Sequence, residues 1–148
     1  MEVVVVAHNI RSMHNVGSIF RATYCFGVKK LFLTGYTATP PQKEISKVSI
    51  CTEEFVDWEY RDDVELLIDE LKEKGYVVAA LEIDERSVNI GTFSTDKPVA
   101  LILGNEVEGI DQSLLDKSDV ILEIPYTGKR TSINLSVATG IALYELRG

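Results

Sequence analysis

The densest group of chemically useful side chains lies near the end of the chain. Residues 124–136 follow an apolar, strand-like run and enter a helix, and they include Ser132, Asn134 and Ser136. Free backbone N–H groups at a helix start favour an electron-rich ligand group. Capping explains Ser132, whereas Asn134 is a poor helix former that capping leaves unexplained. The segment is therefore a candidate ligand site, and a plain helix start is the alternative.

A second candidate is the segment GNEVEG at residues 104–109. It follows an apolar run, so we expect it at the carboxyl end of a parallel sheet, where open α/β proteins bind ligands. Its two glycines, Gly104 and Gly109, could let the backbone approach a ligand closely. A phosphate loop is not expected, because no Lys-Ser/Thr pair follows and Glu106 and Glu108 would repel phosphates. An ordinary strand-to-helix turn is the alternative.

A third polar segment, residues 8–21, holds the two histidines of the chain, His8 and His14, together with Asn15 and Arg21. A helix cap at Asn15 and a solvated cation at Arg21 are the simplest interpretation. The histidines are interpreted as polar loop residues, since nothing arranges them as a Ser/His/Asp system. No acidic pair stands out at metal-ligand spacing either, so no metal is expected.

Strand-length apolar runs alternate with helical segments along the whole chain. The runs occupy residues 3–7, 31–34, 77–81, 99–103 and 120–124, and a short strand is expected near residues 55–58. This alternation is typical of a largely parallel α/β sheet with helices between the strands. Each of the three polar segments begins where a predicted strand ends.

Three helices are expected to position the polar segments. The first spans residues 15–27 with Asn15 as its N-cap, and Arg21 points away from its apolar face. The second spans residues 63–74. The third begins near Ser132 and has no charged residue in positions 133–144. A helix that is apolar around nearly its whole circumference is buried on more than one side, so a subunit interface is expected there.

Composition limits the alternatives. The 148 residues, 45% apolar and 26% charged, suit one domain over residues 1–148. No apolar run approaches the ~20 residues of a membrane helix, and no targeting segment is visible, so we expect a soluble, cytoplasmic protein. Cys25 and Cys51 are interpreted as reduced packing residues. The net charge of −8 argues against nonspecific coating of nucleic acid.

Taken together, in this order and over practically the whole chain, the three polar segments resemble motifs of the SpoU (TrmH-type) branch of the SPOUT RNA methyltransferases. The matching residues are Asn15, Gly17 and Arg21 of an N-x-G-x-x-x-R element, Gly104, Asn105, Glu106 and Gly109 of G-N-E-x-x-G, and Ile124, Pro125, Gly128, Ser132, Asn134 and Ser136 of I-P-M-x-G-x-x-x-S-L-N-V-S. The departures are mild: Tyr126 replaces Met, Ile133 replaces Leu and Leu135 replaces Val.

The resemblance implies a fold, a cofactor and an assembly. The expected fold is a mostly parallel sheet flanked by helices, with a C-terminal deep trefoil knot. The expected cofactor is S-adenosyl-L-methionine (AdoMet), without a metal, and the expected assembly is a homodimer. The implied cofactor-binding residues are Leu81, Gly104, Ile124, Ser132 and Ile133. The implied catalytic set is Arg21, Asn15, Glu106, Ser132 and Asn134.

The implied reaction is methyl transfer from AdoMet to a ribose 2′-hydroxyl of RNA, with tRNA favoured over rRNA. The family assigns removal of the hydroxyl proton to the residue that matches Arg21. A free guanidinium has a pKa above ~12, so its role stays open between base and stabiliser of phosphate or developing alkoxide. The expected RNA-binding residues are Arg11, Arg21, Lys129 and Arg130, with Lys43 and Lys47 in the same basic strip.

Two other functions stay open from the sequence. The first is a catalytically inactive SPOUT-fold protein that binds AdoMet or RNA. The acidic composition slightly favours it, whereas the intact set Arg21, Glu106, Ser132 and Asn134 disfavours it. The second is an ordinary nucleotide-binding α/β domain with chance motif matches, which would bind ATP or NAD. Since the catalytic motifs begin close to residue 1, no separate RNA-binding domain is expected, and an accessory RNA-binding partner could compensate for the negative charge.

Overall fold

The computed structural model describes residues 1–129 and 132–147. Its strands and helices alternate along the chain. They are β1 (Val3–His8), α1 (Met13–Cys25), β2 (Lys30–Thr34), α2 (Lys43–Ser49), β3 (Trp58–Arg61), α3 (Val64–Glu73), β4 (Val77–Leu81), β5 (Val88–Asn89), β6 (Val99–Leu103), α4 (Gln112–Lys117), β7 (Val120–Glu123) and α5 (Leu135–Leu146). Short 3-10 turns occupy Thr52–Glu54 and Ile90–Thr92.

The seven strands form one parallel sheet in the order β3-β2-β1-β6-β4-β7-β5. Val5 at the centre pairs with Leu31 of β2 and with Leu101 of β6. The carboxyl ends of parallel strands lie at one edge, so the loops after β1, β4, β6 and β7 meet there. The predicted parallel α/β sheet is confirmed.

Helices cover both faces of the sheet. Val5 and Ala7 belong to the core shared with α1 and α5, whereas Val4 and Val6 face the core shared with α3 and α4. Alternate residues of each strand therefore bury into opposite layers, and this explains why the strands read as continuous apolar runs. A sheet covered on both faces leaves its carboxyl edge as the place where ligands can enter.

The start of α1 differs from the prediction. Ser12 is the N-cap, and its hydroxyl accepts a hydrogen bond from the backbone N–H of Asn15 at 3.2 Å. Asn15 therefore lies inside the first turn, where it is buried, and its predicted role as the cap is wrong. Ser and Asn are both good caps, so residue type alone does not decide between Ser12 and Asn15.

The start of α5 also differs from the prediction. Asn134 is the N-cap, and its side-chain oxygen accepts from the N–H of Ser136 at 2.8 Å. The predicted start near Ser132 is thus wrong, and capping accounts for Asn134 after all. In the single chain α5 is buried on one side only, and apolar residues on its other side are exposed to solvent. The exposed residues are Val137, Ile141 and Tyr144.

Smaller differences concern exposed residues. The short strand predicted at residues 55–58 begins at Trp58 and runs to Arg61, because the preceding residues form a turn and leave Phe55 72% exposed. Cys25 and Cys51 are exposed, so their interpretation as packing residues is wrong. No helix within residues 1–129 and 132–147 is long and apolar enough to cross a membrane.

Candidate functional site

A cavity of about 320 Å³ lies at the carboxyl ends of β4, β6 and β7, three adjacent strands of the sheet. The loops after these strands form its walls. All five residues implied as cofactor-binding line it, namely Leu81, Gly104, Ile124, Ser132 and Ile133. The structure thus brings together residues that lie far apart in sequence, and their role as cofactor ligands stays a prediction.

The walls of this cavity are acidic. Glu82, Glu106 and Glu123 line it, and no lysine or arginine does so among the residues that the structure describes. Carboxylates favour a ligand with positive charge and oppose one with phosphates. The cavity therefore fits a cationic organic molecule better than a nucleotide polyphosphate.

The glycines after β6 are required by packing within the loop. A Cβ at Gly104 would lie 2.5 Å from Cγ1 of Ile110 and 2.8 Å from the carbonyl carbon of Gly109. Gly109 has φ +71°, and a Cβ there would overlap Oε2 of Glu82, which accepts from the N–H of Ile110 at 3.0 Å. Both glycines thus allow the loop to fold tightly beside the cavity, as in the ordinary turn that was the alternative expectation, and a role in ligand approach stays a prediction.

Asn105 connects this loop to two other segments. Its amide nitrogen donates to the carbonyl of Asn9 at 3.0 Å and to the hydroxyl of Tyr36 at 2.6 Å. Its oxygen accepts from the N–H groups of Val107 and Glu108 at 2.8 and 2.9 Å. The side chain thereby shapes its own loop and attaches it to the loops that follow β1 and β2.

Glu106 holds the start of α1. Its Oε1 accepts from the N–H of Arg11 at 2.8 Å. Its Oε2 accepts from the N–H of Ser12 at 2.9 Å and from the side-chain amide of Asn15 at 2.8 Å. Burial alone would raise the pKa of Glu106, but the hydrogen bonds from Arg11, Asn15 and Ser12 outweigh it and lower the pKa. An ionised carboxylate therefore joins the first and second motifs.

The remaining predicted catalytic residues lie in two places. Ser132 lines the cavity, and Asn134 caps α5 at the edge of the same region. Arg21 is exposed on α1 and is not part of the cavity lining within the residues that the structure describes. Within one chain Glu106 and Ser132 line the cavity, Asn15 is attached to it through its hydrogen bond to Glu106, and Arg21 is not part of the lining.

The predicted RNA-binding residues lie on the surface where the structure describes them. Arg11 is exposed, and Glu106 holds its backbone. Lys43, Lys47 and Lys129 are also exposed, the first two on α2. Arg130 lies outside the described residues. Exposure at the surface does not show that a side chain contacts RNA, so RNA binding by these residues stays a prediction.

Glu82 and Tyr36 belong to this region of the structure, although neither lies in one of the three motifs. Glu82 directly follows β4, and its place at the carboxyl end of a strand was the available signal. Tyr36 had no such signal, because its contact with Asn105 joins residues 69 positions apart. His8, by contrast, has a structural role: its Nδ1 lies 2.8 Å from the Thr34 hydroxyl, and burial lowers its pKa.

Comparison with known proteins agrees with this geometry. The model of the SpoU rRNA Methylase family matches residues 2–144. The tRNA (guanosine(18)-2'-O)-methyltransferase of Aquifex aeolicus (strain VF5) is 32% identical over 97% of this chain and 68% of its own length. A curated relative from Staphylococcus haemolyticus (strain JCSC1435) is 30% identical over 99% of this chain, which spans 58% of that protein.

Solved structures show the same fold. The AdoMet-bound rRNA methyltransferase from Sinorhizobium meliloti superposes with a TM-score of 0.92 at 29% identity, over 99% of this chain and 56% of that one. The TrmH/SpoU tRNA modifying enzyme of A. aeolicus gives 0.88 at 29% identity, over 99% and 74%. Fold and cavity thus define a SPOUT-type methyltransferase domain.

The chain belongs to the SpoU methylase family, whose members are AdoMet-dependent RNA methyltransferases. The resemblance stated from the three motifs is therefore confirmed. The trefoil knot is typical of the fold of these neighbours and stays a prediction for this chain.

Proposed function

We propose that this protein transfers a methyl group from AdoMet to a ribose 2′-hydroxyl of RNA, with tRNA favoured over rRNA. The observation that carries the proposal is that the second and third motifs line one cavity, to which Glu106 joins the first motif. The relatives named above include both a tRNA and an rRNA methyltransferase, so the choice of RNA rests on the proposal.

The cavity has the character that AdoMet requires. Its volume lies within the usual range for small-molecule sites. Leu81 and Leu122 offer apolar walls for an adenine ring, and Glu82, Glu106 and Glu123 offset the positive charges of a sulfonium and an amino group. When bound, AdoMet supplies an electrophilic methyl group, and the loops of this chain determine where that group lies relative to the ribose oxygen.

The position of Arg21 supports a homodimer. Arg21 is exposed on α1 and lies outside the cavity of its own chain, so a second copy is needed to place it beside a cofactor. The exposed apolar residues of α5, which packs against α1, offer the surface for that contact. The arginine of one subunit then completes the active site of the other.

Arg21 has two proposed roles. It accepts the hydroxyl proton after being enclosed by the partner and the substrate, or it stays charged and stabilises the developing alkoxide or the adjacent phosphate. Arg21→Lys separates positive charge from the planar guanidinium. If the guanidinium geometry is needed, this variant loses turnover while its AdoMet affinity stays close to that of the wild type. Near-normal turnover would show that a positive charge at this position is sufficient, and it would contradict the need for the planar guanidinium.

RNA binding has to overcome a net charge of −8. In the proposal the dimer doubles the basic strip, which consists of Arg11, Arg21, Lys43, Lys47, Lys129 and Arg130. An accessory RNA-binding partner is the other means of compensation. A cytoplasmic location follows from the proposed substrates.

One binding measurement and one activity measurement test the proposed function against its rivals. Calorimetric titration with AdoMet, ATP and NAD should give binding of AdoMet alone, because the carboxylates of the cavity oppose phosphates. Preference for ATP or NAD would support an ordinary nucleotide-binding domain. Incorporation of labelled methyl into total tRNA and rRNA then separates an enzyme from an inactive relative, which would bind AdoMet and transfer nothing.

A further inference from the structure

Tyr36 is an exposed aromatic residue that is held at both ends. Its side chain is 62% exposed. Its backbone N–H donates to Oδ1 of Asn9 at 3.0 Å, and its hydroxyl oxygen accepts from the side-chain amide of Asn105 at 2.6 Å. Two hydrogen bonds therefore fix the ring while most of its surface stays in water.

The turn that carries Tyr36 is built to keep this arrangement. Gly35 has φ +65°, and a Cβ there would overlap Oδ1 of Asn9, so only glycine allows the asparagine to reach the Tyr36 N–H. Tyr60 donates its hydroxyl to the carbonyl of Gly35 at 2.7 Å. Because Tyr36 contributes little to the core, these contacts orient a surface group.

Tyr36 lies beside the cofactor cavity. Asn105, its hydrogen-bond partner, lines that cavity and directly precedes Glu106, which holds the backbone of Arg11. The exposed ring and the exposed Arg11 are thus attached to adjacent residues of one loop. A substrate that brings a ribose to the cavity must pass close to both.

We propose that Tyr36 stacks on an unpaired base of the RNA next to the ribose that is methylated. The inference rests on the proposed RNA methyltransferase function and adds a specific contact to it. An aromatic ring binds the face of any base, and in a paired helix these faces are covered by neighbouring bases. The expected substrate is therefore a loop or another unpaired segment.

Because the protein is negatively charged, stacking is an important source of affinity for RNA. With a net charge of −8, contacts to phosphates must act against overall repulsion, and they weaken further as salt rises. Stacking involves no counterion release, so it supplies affinity that the acidic surface cannot. A ring fixed in advance also loses little conformational entropy when a base binds.

Two substitutions of Tyr36 test the proposal. Tyr36→Leu removes the ring, and Tyr36→Phe keeps it while losing the hydrogen bond to Asn105. Affinity is measured by fluorescence anisotropy with a labelled short single-stranded RNA and with the same sequence as a duplex. Tyr36→Leu should weaken single-strand binding about five- to hundred-fold and leave duplex binding unchanged. Tyr36→Phe should restore most of the single-strand affinity.

Two controls separate stacking from a structural role. Phe55→Leu removes another exposed ring, which packs beside Tyr24, and should leave RNA binding unchanged. AdoMet affinity, measured by calorimetry, should stay the same in Tyr36→Leu. A loss of AdoMet binding, or a Tyr36→Phe variant as weak as Tyr36→Leu, would show that Tyr36 acts by supporting Asn105 and would overturn the inference.

The failure of this inference differs from that of the proposed function. If the wild type methylates RNA and Tyr36→Leu does so with an unchanged Michaelis constant, the stacking contact is refuted and the methyltransferase function stands. If the wild type neither binds nor methylates RNA, the proposed function is refuted and the stacking contact with it.

Discussion

Replacing Glu106 by Gln should separate the first motif from the second. The carboxylate accepts three hydrogen bonds, from the N–H of Arg11, the N–H of Ser12 and the side-chain amide of Asn15, at 2.8 to 2.9 Å. A Gln side chain has a single oxygen, so its NH₂ group must face at least one of these donors. The two remaining hydrogen bonds also lose the contribution of the negative charge.

The expected cost follows from these contacts. One charge-assisted hydrogen bond contributes about 1.5–3 kcal/mol, so Glu106→Gln should lower the free energy of unfolding by about 2–3 kcal/mol. In a protein of this size that corresponds to a fall in Tm of roughly 5–10 °C. Glu108→Gln, an exposed change in the same loop, should stay within about 0.5 kcal/mol of the wild type. Urea denaturation at neutral pH measures both.

The pH dependence gives a second readout. The pKa of Glu106 is lowered in the folded protein, so its stabilisation is present above the ordinary carboxyl value of 4.5 and is lost as the pH falls through the lowered pKa. The stability difference between wild type and Glu106→Gln should therefore shrink in acid. A difference that stays constant from neutral pH to below pH ~4, or one under about 0.5 kcal/mol throughout, would refute the reasoning.

Three further predictions concern the loop, the RNA surface and the assembly. Gly109→Ala forces a Cβ onto Glu82 at φ +71° and should weaken AdoMet binding about tenfold in calorimetry; unchanged affinity would contradict the packing role of this glycine. Lys129→Glu should raise the Michaelis constant for RNA and flatten its dependence on salt, whereas unaltered kinetics would remove Lys129 from the RNA contact. Val137→Glu on the exposed side of α5 should yield monomers in light scattering, while Leu66→Glu on α3 should not; a dimeric Val137→Glu protein would place the interface elsewhere.

The strands could be predicted because parallel sheets bury both faces. Residues Val3 to Ala7 and Val99 to Leu103 are all buried, so each strand is an uninterrupted apolar run. The order of the strands could not be predicted in the same way. β6 lies between β1 and β4, and that placement depends on pairing between distant segments, which periodicity does not record.

The helix starts were misplaced for a local reason. Ser12 and Asn15 can both cap α1, and Ser132 and Asn134 can both cap α5. Sequence alone does not decide between two good caps a few residues apart. The structure uses Ser12 for α1 because Asn15 is needed by Glu106, a partner 91 residues away.

The location of the candidate site was predicted from the motif resemblance, whereas the charge and contacts of its walls became visible only in the structure. The motifs contain four of the five cavity residues, and Leu81 was expected there from its position at the end of a strand. They did not indicate that three carboxylates line the cavity or that Asn105 holds Tyr36. Both features arise where loops from separate strands meet. Arg21 matches its motif as well as the cavity residues do, yet it does not line the cavity of its own chain within the described residues. The motif match alone did not give its position.

The most direct test of the account is nucleoside analysis of RNA after incubation with AdoMet. Total tRNA and total rRNA are treated separately with the wild type and with Arg21→Ala, then digested to nucleosides and examined by mass spectrometry. We expect a 2′-O-methylated nucleoside that the wild type produces and Arg21→Ala does not. A methyl group on a base, or no methylated nucleoside from either pool despite AdoMet binding, would contradict it.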